Sequence, residues 1–304
     1  MKKVIEQNGF EWTNIENPTN DEIIQCVEKY KINPQNAERM IVPSDGSHIH
    51  FADGMIFISL QFPSPHNQYA YQNSGEIDFI LGNGFLVTIH YSPSDVLYQF
   101  QNKFETESLK DDNKTINSVM IFFKIIDFIY DKIRADLHFM GNRIYSIEES
   151  IFRGDDDKLL VSKIPAARRE MLDAKQLLRT HEEIWKKFYE EGKAFFGIDF
   201  TDSIAAALHG YRKIFRTIEA YREMLEELYD SHRTLLATKT NNVMKTISIV
   251  AFLTFPLTML AQVFGSPLIL GIIDQEESFF YFLSTSLIIT ALIFLYFRTR
   301  GWLD

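Results

Sequence analysis

The sequence predicts an α+β cytosolic domain, a long stalk helix and two C-terminal transmembrane helices. Three observations carry this reading. Between Lys245 and Asp274 lie 28 residues without an ionisable group, and a second charge-free run of 20 residues, Ser278–Phe297, ends at Arg298 and Arg300. About 20 apolar residues of helix span a bilayer core. Upstream, short β-rich runs separated by turn signals give way near residue 117 to apolar residues at helical spacing. Between Ser203 and Pro256 no further proline breaks that spacing, and Gly210 is the single glycine. The chain divides into an α/β domain (1–115), a long-helix bundle and stalk (116–240), a first span (241–265), a loop (266–277), a second span (278–297) and a basic tail (298–304).

In residues 1–115, Thr19 or Asn20 caps a helix on which Ile23, Ile24 and Val27 share a face. Cys26 lies in the same segment and reads as a core thiol; a single cysteine excludes an internal disulfide and fits a reducing compartment. The opening MKKVIEQNGFEW has no apolar run after its lysines, so no signal peptide is expected there. Strand-like runs follow at His48–Phe62, Glu76–Leu81 and Phe85–Tyr91, with Gly82-Asn83-Gly84 as a hairpin turn. Ser92-Pro93-Ser94-Asp95 then caps a short helix through Val96, Leu97 and Phe100. No glycine-rich phosphate loop opens a helix after any strand, which leaves a nucleotide-binding reading without support. His48 and His50 point to the same side of one strand but lack a third ligand nearby, and a solvated strand face accounts for them. The other histidines are scattered and no Ser/His/Asp or Cys/His arrangement stands out. Neither an enzyme nor an organic cofactor is indicated.

Three helical segments follow. Ile116–Ile151 places Val119, Phe122, Ile126, Ile129, Ile133, Leu137, Met140, Ile144 and Ile147 on one face and stops at Gly154. Leu160, Ile164, Ala167, Met171, Ala174, Leu178, His181, Trp185 and Phe188 form a heptad seam along one helix. A third seam, from Ile204 through Leu208, Tyr211, Phe215, Ile218, Leu225 and Leu228 to Leu235, leads without interruption into the first span. A continuous helix from Asp202 to Gly265 is about 95 Å long at ~1.5 Å per residue. Such a rod requires neighbours or copies of itself to hold it.

Lys239 and Lys245 precede the first span, Arg298 and Arg300 follow the second, and the loop between carries Asp274, Glu276 and Glu277 without a base. Basic residues stay on the cytoplasmic side, so both termini are expected inside a cell membrane and the acidic loop outside. A formal net charge of −10 argues against nucleic acid as a partner. Along the first span Asn241, Met244, Ile247 (or Ser248), Ala251, Phe255, Thr258, Gln262 and Gly265 recur every three to four residues. An apolar constriction between polar mouths suits a pore that gates by dewetting, and small, weakly polar residues also suit helix packing. Asp230, with Glu219, Glu223, Glu226 and Glu227 below it, is expected to give a ring of copies an acidic cytosolic mouth; the loop acids give an acidic outer one.

Asn241-Asn242-Val243-Met244-Lys245, Phe255-Pro256-Leu257-Thr258, Phe264-Gly265 and the closing Arg298-Thr299-Arg300-Gly301-Trp302-Leu303 resemble the CorA-type magnesium/cobalt channels. Phe79-Ile80-Leu81, Phe85–His90 and Pro165-Ala166-Ala167-Arg168-Arg169 extend the resemblance upstream. It implies homopentamers with a cytosolic funnel, first-span helices around a pore, Mg²⁺ (with Co²⁺) as cargo and intracellular Mg²⁺ as regulator. The chain departs from the family's Gly-Met-Asn signature: Gly265 is followed by Ser266 and Pro267, so the resemblance implies Gly265 and Ser266 as the outer filter. That departure motivates two rivals, a membrane-anchored sensor or effector using Arg168 and Arg169 for an anionic ligand, and a Zn²⁺-type transporter of the same superfamily.

Overall fold

A computed structural model describes residues 2–33, 43–44, 46–63, 75–108, 117–154, 157–196, 200–266 and 275–300. The described chain forms two compact units, Met1–Leu228 and Tyr229–Asp304. In chain order the elements are β1 (Lys2–Gln7), β2 (Phe10–Glu16), α1 (Asn20–Tyr30), β3 (His48–Ala52), β4 (Met55–Phe62), β5 (Gly75–Gly82), β6 (Phe85–His90), α2 (Asp95–Ser108), α3 (Ser118–Arg153), α4 (Asp157–Leu178), α5 (His181–Phe196), α6 (Thr201–Phe264) and α7 (Gln275–Thr299).

The first unit is built on a six-stranded sheet of order β1-β2-β6-β5-β4-β3. All pairs are antiparallel except β2 with β6, where Trp12 lies beside Leu86 and Thr13 beside Val87. Three tight turns make its hairpins. Asn8-Gly9 and Asp53-Gly54 adopt positive φ at both residues, the geometry whose twist matches paired strands and which Asn-Gly and Asp-Gly supply at least cost. Asn83-Gly84 closes the third, with Gly84 at φ +80°. The run His48–Phe62 is therefore two strands, not one, and residues 2–16 form a hairpin that the apolar pattern did not signal.

On one face of the sheet α1 buries Ile23, Cys26 and Tyr30 against Ile15, Ile80, Val87 and Ile89. Thr19 is its cap: the hydroxyl accepts from the Glu22 backbone N–H while the Glu22 carboxylate accepts from that of Thr19. Ile24 does not share the buried face and is 54% exposed, because it lies one residue, about 100° of helix, from Ile23. Burial pushes the Cys26 thiol up to about 11, which keeps it protonated and inert.

The other face packs on α2, α3, α4, α5 and the start of α6. Phe122 stacks on Phe188 at 5.8 Å, and Phe79 meets Phe122 edge-on at 5.0 Å. Every residue of the expected seam from Leu160 to Phe188 is buried, yet the segment is two helices. A turn at Arg179–Thr180 separates them, and it leaves the seam in phase while turning His181 inward. His181 Nε2 donates to the Gln61 carbonyl (3.0 Å), its Nδ1 accepts from the Tyr130 hydroxyl (3.0 Å), and Trp185 Nε1 donates to the Tyr130 oxygen (3.1 Å). The carbonyl can only accept, so the proton sits on Nε2 and the ring is neutral. Two glycines let α3 and α6 approach. A Cβ on Gly141 would stand 2.3 Å from the Tyr221 hydroxyl, and one on Gly210 3.1 Å from the Tyr130 ring.

Replacing Tyr130 by Phe strands the Trp185 donor and the His181 acceptor in the core, at about 1–3 kcal/mol. Thermal unfolding of the purified protein should show a lowered midpoint.

Burial holds His181 down at about 4, against 6.5 for the free side chain. In the unfolded chain it takes up a proton that the folded protein refuses. Its contribution, on the order of 3 kcal/mol, is complete above pH 6.5 and disappears as pH falls toward 4. Asp78 works in the opposite sense: burial and the neighbouring Glu76 raise its carboxyl to about 7, so its contribution disappears as pH rises toward 7. The expected outcome is that His181→Gln removes the first slope and leaves the second. Between pH 4.5 and 6.5 the variant should lose stability as pH rises, along a steeper line than the parent, in a series of unfolding midpoints.

Candidate functional site

Asn241, Met244, Ile247, Ala251, Phe255, Thr258 and Gln262 all lie on α6, spaced by three or four residues. At 3.6 residues per turn these steps confine them to about a third of the helix circumference. All seven are exposed in the single chain, Phe255 at 71%. Ile249, Leu253, Pro256, Leu257 and Leu260 lie on the opposite side and are more covered; beside them Phe252 meets Phe297 of α7 at 5.9 Å. The helix thus has one face turned to its own hairpin partner and one face without a neighbour among the described residues.

Hydroxyls along α6 are satisfied inside the helix. Thr258 donates to the Phe255 carbonyl (2.8 Å), Ser248 to that of Met244 (2.8 Å) and Thr234 to that of Asp230 (2.9 Å). Such back-bonding uses the proton and leaves oxygen lone pairs directed outward. An exposed oxygen of this kind accepts a cation or a water of its hydration shell.

At the far end of α6 the Gly265 N–H reaches the Ala261 carbonyl at 3.0 Å and the Ser266 N–H that of Val263 at 3.2 Å. A side chain on Gly265 would meet the Ala261 oxygen at 2.9 Å, so the tight close of this helix depends on glycine. Pro267, Asp274 and Gly301-Trp302-Leu303 lie outside the described residues. Glu276 and Glu277 begin α7, and Glu277 is exposed.

Not all of the expected acidic mouth is free. Asp230, Glu223 and Glu227 are exposed, but Glu219 pairs with Lys175 (2.9 Å), and Glu226 with Arg168 (3.3 Å) and Arg222 (3.7 Å). These contacts tie α6 to α4, withdraw two of the four glutamates from the expected mouth, and occupy Arg168, one of the two arginines considered for an anionic ligand. Each such exposed pair contributes ~0–1 kcal/mol. Sequence spacing could not reveal them, because the partners are 44 and 58 residues away along the chain. His48 and His50 stand on the edge strand β3, with His48 Nδ1 3.1 Å from the Gly46 carbonyl. Among the described residues no three His, Cys, Asp or Glu side chains gather as a metal-holding group.

Two helices, within Thr201–Val263 and Phe279–Thr299, are long and apolar enough to cross a membrane, and only 6% of each apolar stretch is buried inside the structure. A core helix of a water-soluble domain would be covered.

Comparison with known proteins agrees with this architecture. The chain is 19% identical over 294 residues to the cobalt/magnesium transport protein CorA of Thermotoga maritima, covering 96% of this chain and 83% of that protein. Its fold superposes on the complete CorA magnesium transporter from Methanocaldococcus jannaschii with a TM-score of 0.80 at 14% identity, over 98% of this chain and 93% of that one. The cytoplasmic domain of ZntB from Vibrio parahaemolyticus matches with a TM-score of 0.62 at 14% identity, over 77% of this chain and 90% of that one. At these identities the structural likeness is one of fold. The sequence profile of the CorA-like Mg²⁺ transporter proteins spans residues 7–299, and the chain belongs to that family.

Proposed function

We propose that this protein is a homo-oligomeric channel for a hard divalent cation, Mg²⁺ foremost and Co²⁺ second, with α6 helices from several copies around the pore. The single observation that carries the reading is the face of α6 from Asn241 to Gln262. It is apolar in the middle, polar at both ends and exposed in the isolated chain, while the opposite face is the more covered one. A lone hairpin encloses nothing; a ring of copies, five by the family resemblance, turns this face inward. Asn241 forms the inner mouth with Asp230 below it. Met244, Ile247, Ala251 and Phe255 form the constriction, and Thr258 and Gln262 lead to Gly265 and Ser266 outside. Mg²⁺ keeps several of its waters, so amide and hydroxyl oxygens that bind through water suit it better than a dry cage. Both termini lie in the cytoplasm, and Asp274, Glu276 and Glu277 concentrate cations at the outer entrance.

In proteoliposomes the full chain should take up Mg²⁺ down its gradient; absence of divalent flux under every internal Mg²⁺ concentration would sink the proposal. Thr258→Val, which removes one acceptor oxygen from the pore face, should slow uptake about fivefold. Thr246→Val serves as control. Its hydroxyl makes the same kind of internal bond, to the Asn242 carbonyl at 3.0 Å, but it sits on the other side of α6 and its loss should leave flux unchanged.

The outer end favours a second reading, in which the scaffold acts as a membrane sensor or effector and has given up Mg²⁺ uptake. Ser266 and Pro267 stand where the family signature has Met-Asn, and Pro267 brings neither a side-chain ligand nor an N–H. The double change Ser266→Met with Pro267→Asn separates the two. A channel with an altered filter should gain Mg²⁺ uptake in transport-deficient cells, whereas an effector should remain silent.

A further inference from the structure

In the C-terminal unit a cavity of about 650 Å³ lies between the two apolar helices, lined by Phe252 of α6, by Leu292, Ile293, Tyr296 and Phe297 of α7, and by Arg300 just past the end of α7. Small-molecule cavities of ~300–1,000 Å³ are mostly apolar, with a few polar groups that fix orientation. Here the polarity is graded along one axis. Arg300 follows Leu292 by eight residues and still bonds back through its N–H to the Tyr296 carbonyl (3.2 Å), so about 12 Å along the helix axis separates the apolar floor from the guanidinium. The Arg300 guanidinium carbon stands 5.8 Å from the centre of the Tyr296 ring, a cation–π contact that keeps the charge over the aromatic wall. No lining residue is a carboxylate, and no ion pair joins Arg300 to an acid among the described residues.

An apolar slot whose guanidinium has no acidic partner among the described residues has, at that end, the polarity of an amphiphile turned inside out. We propose that this cavity binds an anionic phospholipid of the cytoplasmic leaflet, one acyl chain lying along Phe252, Leu292 and Ile293 and the phosphate held by Arg300. The proposal rests on the reading that both helices cross the bilayer with their charged ends inside. Guanidinium is the side chain best matched to a phosphate, through two parallel N–H donors. A free phosphate ion would leave the apolar length of the slot unfilled. Within the apolar depth of the slot a neighbouring copy could present no acid, since neither charge-free run, 246–273 or 278–297, contains one.

The test is native mass spectrometry of the detergent-purified full chain, titrated with phosphatidylglycerol or with phosphatidylcholine of identical acyl chains. The parent protein should retain phosphatidylglycerol about fivefold more than phosphatidylcholine, the effect of one basic side chain on an anionic headgroup. Arg300→Gln should abolish the preference, Arg300→Lys should keep part of it, and Ile293→Trp, which fills the slot, should lower retention of both lipids. Equal retention of the two lipids by the parent, or an unchanged preference in Arg300→Gln, overturns the proposal. Displacement of phosphatidylglycerol by inorganic phosphate assigns the site to a free anion instead. An intersubunit disulfide through Ile293→Cys in vesicles assigns it to a second copy. Flotation with vesicles separates the underlying reading: a chain that does not float has no membrane hairpin, whereas one that floats without headgroup preference lacks only the lipid site.

Discussion

A backbone that leaves water has no partner for its N–H and C=O groups except itself. Helix α6 meets that requirement along 64 residues, and the other features of the chain follow from it. Upstream, Ile204, Ala207, Tyr211, Ile214, Ile218, Leu225 and Leu228 are buried; downstream Met244, Ile247, Phe252, Phe255 and Met259 of the same helix are exposed, while Ile249 on the hairpin side is buried. One periodicity therefore serves two surroundings, a protein core for the first part and, for the second, a face left open in the single chain. The hydroxyls of Thr238, Thr240, Thr246, Thr254 and Thr258 bond to carbonyls of the preceding turn, so none of them brings an unsatisfied donor into the apolar zone. Pro256 is the one residue in this stretch without an N–H to give. It leaves the Phe252 carbonyl short of its usual partner, in a helix that otherwise closes on itself.

Within the first unit the same economy of polar groups appears in a dry core. Trp12 donates to the Thr88 hydroxyl at 3.0 Å, and Thr88 in turn donates to Asn14 at 2.7 Å, all three buried in the sheet. The Gln61–His181–Tyr130–Trp185 chain does likewise where the sheet meets α3 and α5. Both relays hold together elements far apart in sequence, and a buried polar chain of this kind specifies one arrangement because every alternative leaves a group unpaired.

What could be read from the residues alone was whatever rests on periodicity. The helical seams, the two spans, the long uninterrupted helix and the cap at Thr19 are local patterns, and the buried positions of α3, α4 and α5 match theirs. The hairpin at Asn8-Gly9 escaped because β1 is an edge strand: Lys2, Lys3, Glu6 and Gln7 blur its alternation, though the Asn-Gly pair itself was a usable signal. Asp53-Gly54 divides a run whose apolar content continues on both sides. The break at Arg179–Thr180 was hidden because the seam keeps its phase through it. In the candidate site, the face from Asn241 to Gln262 is a spacing and was legible. The pairing of Glu219 and Glu226 with Lys175 and Arg168 is a tertiary event and was not. Strand order is tertiary as well, since β2 finds its parallel neighbour β6 across four intervening elements.

The two glycine–tyrosine contacts between α3 and α6 bear on how a signal moves along the long helix. Tyr130 of α3 sits over Gly210 of α6, and Tyr221 of α6 over Gly141 of α3, each pair 11 residues from the other on both helices. Equal and same-signed steps mean that the helices run parallel and are keyed at two points. A slip by one turn, about 5.4 Å, would bring Tyr130 onto Ala207 or Ile214 and Tyr221 onto Leu137 or Ile144, where a Cβ now occupies the notch. Piston-like travel of α6 over α3 is thereby blocked by shape alone. Tilting or twisting about the keyed points is not, so these contacts restrict any mechanical coupling between the two helices to leverage and torsion.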